Sequence, residues 1–228
     1  EVIKQVTGEV VTQDALGGAD AHQAISGVTD FVADNDEQAL LIAQKILSFL
    51  PQNNAEEPPV LFPDDNVELQ PEVRTIVPIE GNKGYDVRDV IANLVDYGDF
   101  LEVKAGYATN MVTGFGRIVG RSVGFIANQP LVMSGCLDIN ASDKIARHIT
   151  LCDQFNIPLI TLVDCPGYLP GVEQEYNGVI RHGAKIIYAY CQATVPQISL
   201  VTRKAMGGSY VAMSSKQMNN DVAFAWPS

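Results

Sequence analysis

The sequence has 228 residues, 46% of them hydrophobic and 18% charged, with a formal charge of −12. That length and apolar content suit one large or two smaller packed domains and exclude a disordered chain. The acidic balance argues against a nucleic-acid backbone or an anionic membrane surface as partner, although a local basic pocket for a phosphate is compatible with it.

Asp, Gly or Pro interrupts every apolar run well before the ~18 residues of a membrane-spanning helix, so none is predicted. The first residues lack the basic and apolar stretches of a secretory signal. Cys136, Cys152, Cys165 and Cys191 form no Cys-x-x-Cys pair. They are read as buried thiols in a reducing cytoplasm, with no disulfide and no metal required. The chain opens on Glu1 and closes on Trp226-Pro227-Ser228, and both ends read as cut.

In chain order, residues 1–50 hold a short segment closed by Gly17-Gly18, an apolar stretch over 24–32, and then a helix. Leu40, Ala43, Leu47 and Leu50 recur at helical spacing behind the acidic residues Asp34, Asp36 and Glu37, and Pro51 stops the helix. Residues 51–80 hold six of the twelve prolines, with Asn53-Asn54 and Asp64-Asp65, and read as an ordered linker. From about residue 81 the pattern is α/β. A helix is predicted over 87–95, then strands over 112–119 and 122–127 joined at Gly120-Arg121 as a hairpin. A helix over 142–155 precedes a buried strand over 158–163. The loop over 164–178 leads to a helix over 179–191, a strand over 197–202, a Gly207-Gly208 corner and a helical turn over 211–214. Apolar strands alternating with helices imply a mostly parallel sheet.

Two corners carry the chemistry. The strand over 158–163 runs into Asp164-Cys165-Pro166-Gly167-Tyr168, and the strand over 197–202 into Arg203-Lys204-Ala205-Met206-Gly207-Gly208-Ser209-Tyr210. Ligands of open parallel sheets gather at the carboxyl ends of strands. Glycines at a strand-to-helix bend let the backbone approach a ligand, with amides pointing outward to a phosphate or an oxyanion. Either corner alone also reads as an ordinary turn. The second corner is not a P-loop, because GxxxxGK[ST] is absent, and not a G-x-S-x-G elbow, because Val211 stands at the last glycine. A nucleophilic set of Ser209, His182 and Asp164 is an alternative that spacing does not support. His22, His148 and His182 are scattered without metal-ligand spacing and read as structural or surface residues. Arg181, His182 and Lys185 read as a solvated basic face, with a phosphate site as the alternative.

Several strings stand in the order of one family. They include Asn128-Gln129-Pro130, Gly135-Cys136-Leu137-Asp138-Ile139, Asp164-Cys165-Pro166-Gly167-Tyr168-Leu169-Pro170-Gly171, Ile180-Arg181-His182-Gly183-Ala184-Lys185 and Arg203-Lys204-Ala205-Met206-Gly207-Gly208. Outside residues 51–80 the chain resembles the biotin-dependent carboxyltransferase subunits of acyl-CoA carboxylases. Propionyl-CoA carboxylase β and methylmalonyl-CoA decarboxylase α are the nearest types.

The resemblance implies a crotonase-like (ClpP/crotonase) α/β fold of stacked ββα units around a spiral core. Residues 1–50 would end the N-terminal carboxyltransferase domain, 51–80 would be the Pro-rich linker, and 81–228 a truncated C-terminal domain. It implies transfer of a carboxyl group between biotin, held on a biotin carboxyl carrier protein, and a short-chain acyl-CoA. In the family the catalytic donors are backbone amides, which fall here on Gly208 and Ser209. Gly207, Val211, Pro166, Gly167 and Tyr168 would line the substrate and biotin site, and no metal is involved. The family usually has Ala at Ser209 and Tyr at Met206. At Val211, propionyl-type members often carry Asp and decarboxylase-type members an aliphatic residue.

The implied partners are a biotin carboxylase or a membrane decarboxylase subunit, in a cytoplasmic hexamer. Because a family site needs two oxyanion holes and one is encoded here, the chain alone is expected not to complete the reaction. The rival readings are the reverse reaction in a sodium-pumping decarboxylase, a Clp-like serine hydrolase using Ser209, and a non-catalytic CoA-binding or assembly module.

Overall fold

In the computed structural model of the chain, residues 2–61 and 73–227 are described. The rest of the expected linker, with Asp64-Asp65, and the end residues Glu1 and Ser228 lie outside the described residues. Six strands form one sheet in sequence order: β1 (Leu101–Val103), β2 (Met111–Ile118), β3 (Arg121–Asn128), β4 (Leu159–Cys165), β5 (Gln197–Ala205) and β6 (Val222–Ala225). The pairs β1–β2 and β2–β3 are antiparallel, and β3 to β6 run parallel.

Alternation along the strands sends side chains to two layers. Phe125 of β3 and Leu162 of β4 face helix α2 (Val87–Leu94), against Val90 and Ile91. Ile126 and Val163 face the opposite layer, made by α3 (Ile139–Gln154) and α5 (Val179–Gln192) and filled by Ile145, Ile149, Ile186 and Tyr190. Each such fully buried side chain contributes about 1.5–3 kcal/mol. The helix over Asp36–Phe49, labelled α1, adds Phe49 to the second layer. Asn35 caps α1 by accepting from the Gln38 amide at 2.9 Å, and Asp138 caps α3 by accepting from the Ala141 amide at 2.8 Å. The Asp138 cap starts α3 three residues earlier than the apolar spacing suggests.

The apolar stripe expected to bury α1 does not do so. Leu40 and Leu47 are 66% and 68% exposed, and the side that ends in Phe49 turns inward. Arg117 sets that rotation, because its guanidinium lies 4.0 Å from the Phe49 ring centre and donates to the Ser48 carbonyl at 2.8 Å. Strands β1 and β6 and the five-residue helix α4 (Val172–Tyr176) were not legible as elements. All four cysteines are free, but only Cys152 and Cys165 are buried; Cys136 is half-buried and Cys191 exposed. Among the described residues no helix is long and apolar enough to cross a membrane.

The β2–β3 hairpin turns at Val119-Gly120, one residue before the expected joint, with φ of 51° and 75°. A β-branched residue resists positive φ, so the turn needs an external hold. Buried Asp96 supplies it, accepting from both amides at 2.9 and 2.6 Å. Of two buried lysines, Lys104 ties the amino-terminal piece to this sheet and Lys144 gathers the segment between β1 and β2. Lys104 pairs with Asp30 at 2.9 Å and donates to the Gly27 carbonyl, and Lys144 donates to the carbonyls of Lys104, Tyr107 and Met111 at 2.7–2.9 Å. Burial pulls the Lys144 ammonium down to about 8.

Replacing Asp96 by Ala leaves two turn amides without their charged acceptor and is expected to cost about 2 kcal/mol in urea unfolding. Replacing Asp99, whose exposed carboxylate pairs with Lys45, should cost under about 1 kcal/mol. A second expectation concerns pH. Burial holds the His148 imidazole down to about 4 from 6.5, with Nε2 donating to the Gly114 carbonyl. The unfolded chain therefore takes up this proton first, so stability is lost as pH falls from about 6.5 to about 4, by up to about 3 kcal/mol. Unfolding curves of His148→Gln should lose most of that slope.

Candidate active site

Strands β4 and β5 are parallel neighbours with Cys165 opposite Ala205, and the Met206 amide donates to the Cys165 carbonyl at 3.1 Å. The two glycine corners therefore leave the sheet side by side at its carboxyl end. In the first, the Gly167 carbonyl accepts from the Leu137 amide at 3.1 Å, and the Leu169 amide donates back to Leu137 at 2.7 Å. Pro166-Gly167-Tyr168 is thus pinned to the segment before α3. The Tyr168 ring lies on α5, where a Cβ at Gly183 would stand 2.6 Å from its hydroxyl. Only glycine fits beneath that ring, and burial pushes the phenol up to about 12.

In the second corner, helix α6 (Gly207–Ala212) begins on the glycines themselves, four residues before the expected helical turn. Gly207 has φ of 60°, and a Cβ added to Gly207 or Gly208 would meet nothing within 4 Å. The amides of Gly207, Gly208 and Ser209 belong to the first helical turn, which has no intrahelical acceptor for them. Ser209 is 1% exposed and its Oγ donates to the Met206 carbonyl at 2.9 Å. Val211 is half-buried on the same helix. Beside Gly208 opens a cleft of about 400 Å³, with Tyr168, Val179, Ile180, Gly183 and Ile187 in its wall.

A buried ion pair joins the corners. Asp164, 1% exposed, ends β4 and accepts from Arg203 Nε and Nη2 at 3.1 and 3.0 Å; the Arg203 side chain is 9% exposed. Asp164 also accepts from the Lys204 amide at 3.1 Å. The remaining Arg203 nitrogen donates to the carbonyls of Glu80 and Lys83 at 2.9 and 2.7 Å, bringing the loop before α2 to the same end of the sheet. Asn128 completes the frame, accepting from the Asp164 amide at 3.2 Å and donating to the Gly135 carbonyl at 2.9 Å. Sequence reasoning quoted Asp164 and Arg203 without pairing them. The signal was present: opposite charges, each just past the apolar run of one of two neighbouring buried strands.

The nucleophilic alternative is not assembled. Ser209 Oγ is turned to a carbonyl, Asp164 is held by Arg203, and His182 bonds Asp143 at 2.9 Å. The other two histidines bond Ser26 and the Gly114 carbonyl. His182 and Lys185 both converge on the Asp143 carboxylate, so these two members of the basic face are already paired, while Arg181 lies 3.5 Å from the His182 ring. Among the described residues no group of three His, Cys, Asp or Glu could hold a metal.

Removing Arg203 would leave Asp164 buried and unpaired. Arg203→Met is expected to lose about 3–5 kcal/mol in chemical unfolding, and Asp164→Asn combined with Arg203→Met less than that.

The carboxyl transferase domain model matches residues 1–228. The methylmalonyl-CoA carboxyltransferase 12S subunit of Propionibacterium freudenreichii subsp. shermanii is 65% identical over 228 residues, which are 100% of this chain and 44% of that protein. The methylmalonyl-CoA decarboxylase subunit alpha of Propionigenium modestum is 52% identical over 228 residues, with 100% and 44% covered. A solved structure of the transcarboxylase 12S hexamer with methylmalonyl-CoA and methylmalonic acid bound superimposes with a TM-score of 0.98 at 65% identity, again covering 100% of this chain and 44% of that one. The chain thus spans under half the length of these relatives. Its mixed α/β sheet has the crotonase-like fold of the carboxyltransferases.

Proposed function

This chain belongs to the carboxyl transferase domain family, and on that premise we propose that it carries one of the two oxyanion holes of a carboxyltransferase acting between biotin and a short-chain acyl-CoA. The observation that carries the reading is the second corner: Gly208 lines a cleft at the carboxyl end of β5 with open space at its α-carbon, and the amides of Gly208 and Ser209 fall in a first helical turn that offers them no intrahelical acceptor. Carboxyl transfer needs donors aimed at an oxygen that gains charge, and fixed amides in a partly dry cleft provide them, each contributing about 10²–10³-fold.

Biotin, when bound, supplies a ureido group that carries the carboxyl group. The residues present fit such a ligand, since two adjacent donors suit one oxygen and the wall of Tyr168, Val179 and Ile187 suits an apolar ring. Gly208 and Ser209 donate, Gly207 gives the corner its positive φ, and Tyr168 with the Pro166-Gly167 loop limits access of water. No side-chain base is required of this chain.

The relatives named for methylmalonyl-CoA support that ester and propionyl-CoA as the substrate pair. The 12S relative is a carboxyltransferase rather than a carboxylase or decarboxylase, a third setting for the same chemistry. A biotin carrier, a biotin-charging or membrane decarboxylase partner and a hexameric assembly in the cytoplasm belong to the same proposal. Aliphatic Val211 favours the decarboxylase direction as the second reading.

In the full-length polypeptide, Ser209→Ala is expected to keep most transfer from methylmalonyl-CoA to biotin, because the amide stays. Ser209→Pro should lose about 10²-fold or more, since a first-turn proline leaves the helix intact but removes that donor. Loss of turnover in Ser209→Ala would assign the chemistry to the hydroxyl instead.

A further inference from the structure

Lys204 lies between the ion pair and the glycine corner. Its amide donates to Asp164 at 3.1 Å, so its backbone is fixed at the end of β5. Its side chain is half-buried, and its Cε lies 3.9 Å from where a Cβ on Gly81 would stand. The charge also reaches the segment that pins the first corner: burial pushes the Cys136 thiol up, and the Lys204 ammonium works against that rise. Cys136 adjoins Leu137, whose amide and carbonyl hold Gly167 and Leu169. The side chain therefore leaves the carboxyl end of β5 beside Gly81, on the strand end that leads into the Gly207-Gly208 corner.

Among the described lysines that are not exposed, Lys45 and Lys104 pair with a carboxylate and Lys144 donates to carbonyls, whereas no such partner meets Lys204. An ammonium without a carboxylate partner is open to an anionic ligand. In a chain of net charge −12 the surrounding field otherwise repels anions, so a bound anion near the corner needs a local cation. A compact ammonium suits a compact anion.

We infer that Lys204 is a specificity-determining residue that holds the carboxylate in transit between the two carriers, an inference that rests on the carboxyl-transfer reading above. The shared chemistry is the carboxylate, and it arrives either on biotin or on the acyl-CoA.

The test uses the full-length polypeptide with Lys204→Met, Lys204→Arg and, as a control for the loss of one positive charge, Arg121→Gln at the exposed start of β3. Calorimetric titration compares methylmalonyl-CoA with propionyl-CoA, which differ by the carboxylate. A kinetic arm compares the KM for carboxylated biotin with the KM for propionyl-CoA. Lys204→Met is expected to weaken the carboxylated ligand about tenfold while leaving the uncarboxylated one within about twofold. Lys204→Arg should retain most of the discrimination, and Arg121→Gln should change neither. A shift confined to one arm still supports the inference and assigns the carboxylate to that carrier. Equal weakening of methylmalonyl-CoA and propionyl-CoA would place the ammonium on the CoA moiety, and no change in either arm would leave it without a ligand; both overturn the inference alone. If the unmodified protein binds neither ester and transfers no carboxyl group, the carboxyl-transfer reading falls, and the inference with it.

Discussion

The Asp164–Arg203 pair is the constraint on which the functional end of the molecule depends. Both charges are nearly removed from water, a state that is tolerable only when every remaining donor and acceptor is used. Here they are used: the carboxylate takes two guanidinium nitrogens and the Lys204 amide, and the guanidinium spends its last nitrogen on two loop carbonyls. The geometry leaves little freedom in how β4 and β5 end. A parallel chain of contacts reinforces it on the α2 side. Arg203 lies 5.2 Å from the Tyr85 ring centre, Tyr85 bonds Thr202 at 2.9 Å, and Thr202 donates to the Val163 carbonyl at 3.0 Å. Burial pushes the Tyr85 phenol well above its usual range, so it stays neutral and keeps that bond.

The opposite layer restrains the corners by packing instead of charge. Tyr168 crosses from the first corner onto Gly183, so α5 cannot approach or withdraw without moving the loop. The cleft wall between Tyr168 and Gly208 is then part of the same rigid body as the sheet. Ile180, in that wall, stays exposed.

Much of the central sheet was legible because its signals are redundant. The β2–β3 hairpin, the buried β4 and β5 runs and the helices between them each combine periodicity with a glycine or proline stop. What failed did so for physical reasons. Apolar spacing on α1 identified a helix but not its buried side, which the stacking of Arg117 on Phe49 determines across 68 residues of sequence. The exposed β6 carries no alternation to read, and α4 is too short to show a helical period. The ion pair escaped because a buried charge looks the same in sequence as a surface one until the strands are known to be neighbours. The glycine corners were legible as strings at the ends of neighbouring strands, and the β4–β5 register sets them side by side.

A site built on main-chain donors distributes its requirements unusually. The donating atoms belong to the peptide, so side chains at the donor positions can vary. Ser209 turns its hydroxyl back onto the Met206 carbonyl and leaves its own amide to the corner. On the proposed reading the strict demands move to residues other than the donors: Gly207 for its φ of 60°, Gly183 for the space under Tyr168, and Asp164 with Arg203 for the register. Preorganised amides stabilise developing charge only if they need not move to meet it. In this chain their immobility is a property of the buried frame, and the chemistry of the corner is therefore inseparable from the stability of the sheet that presents it.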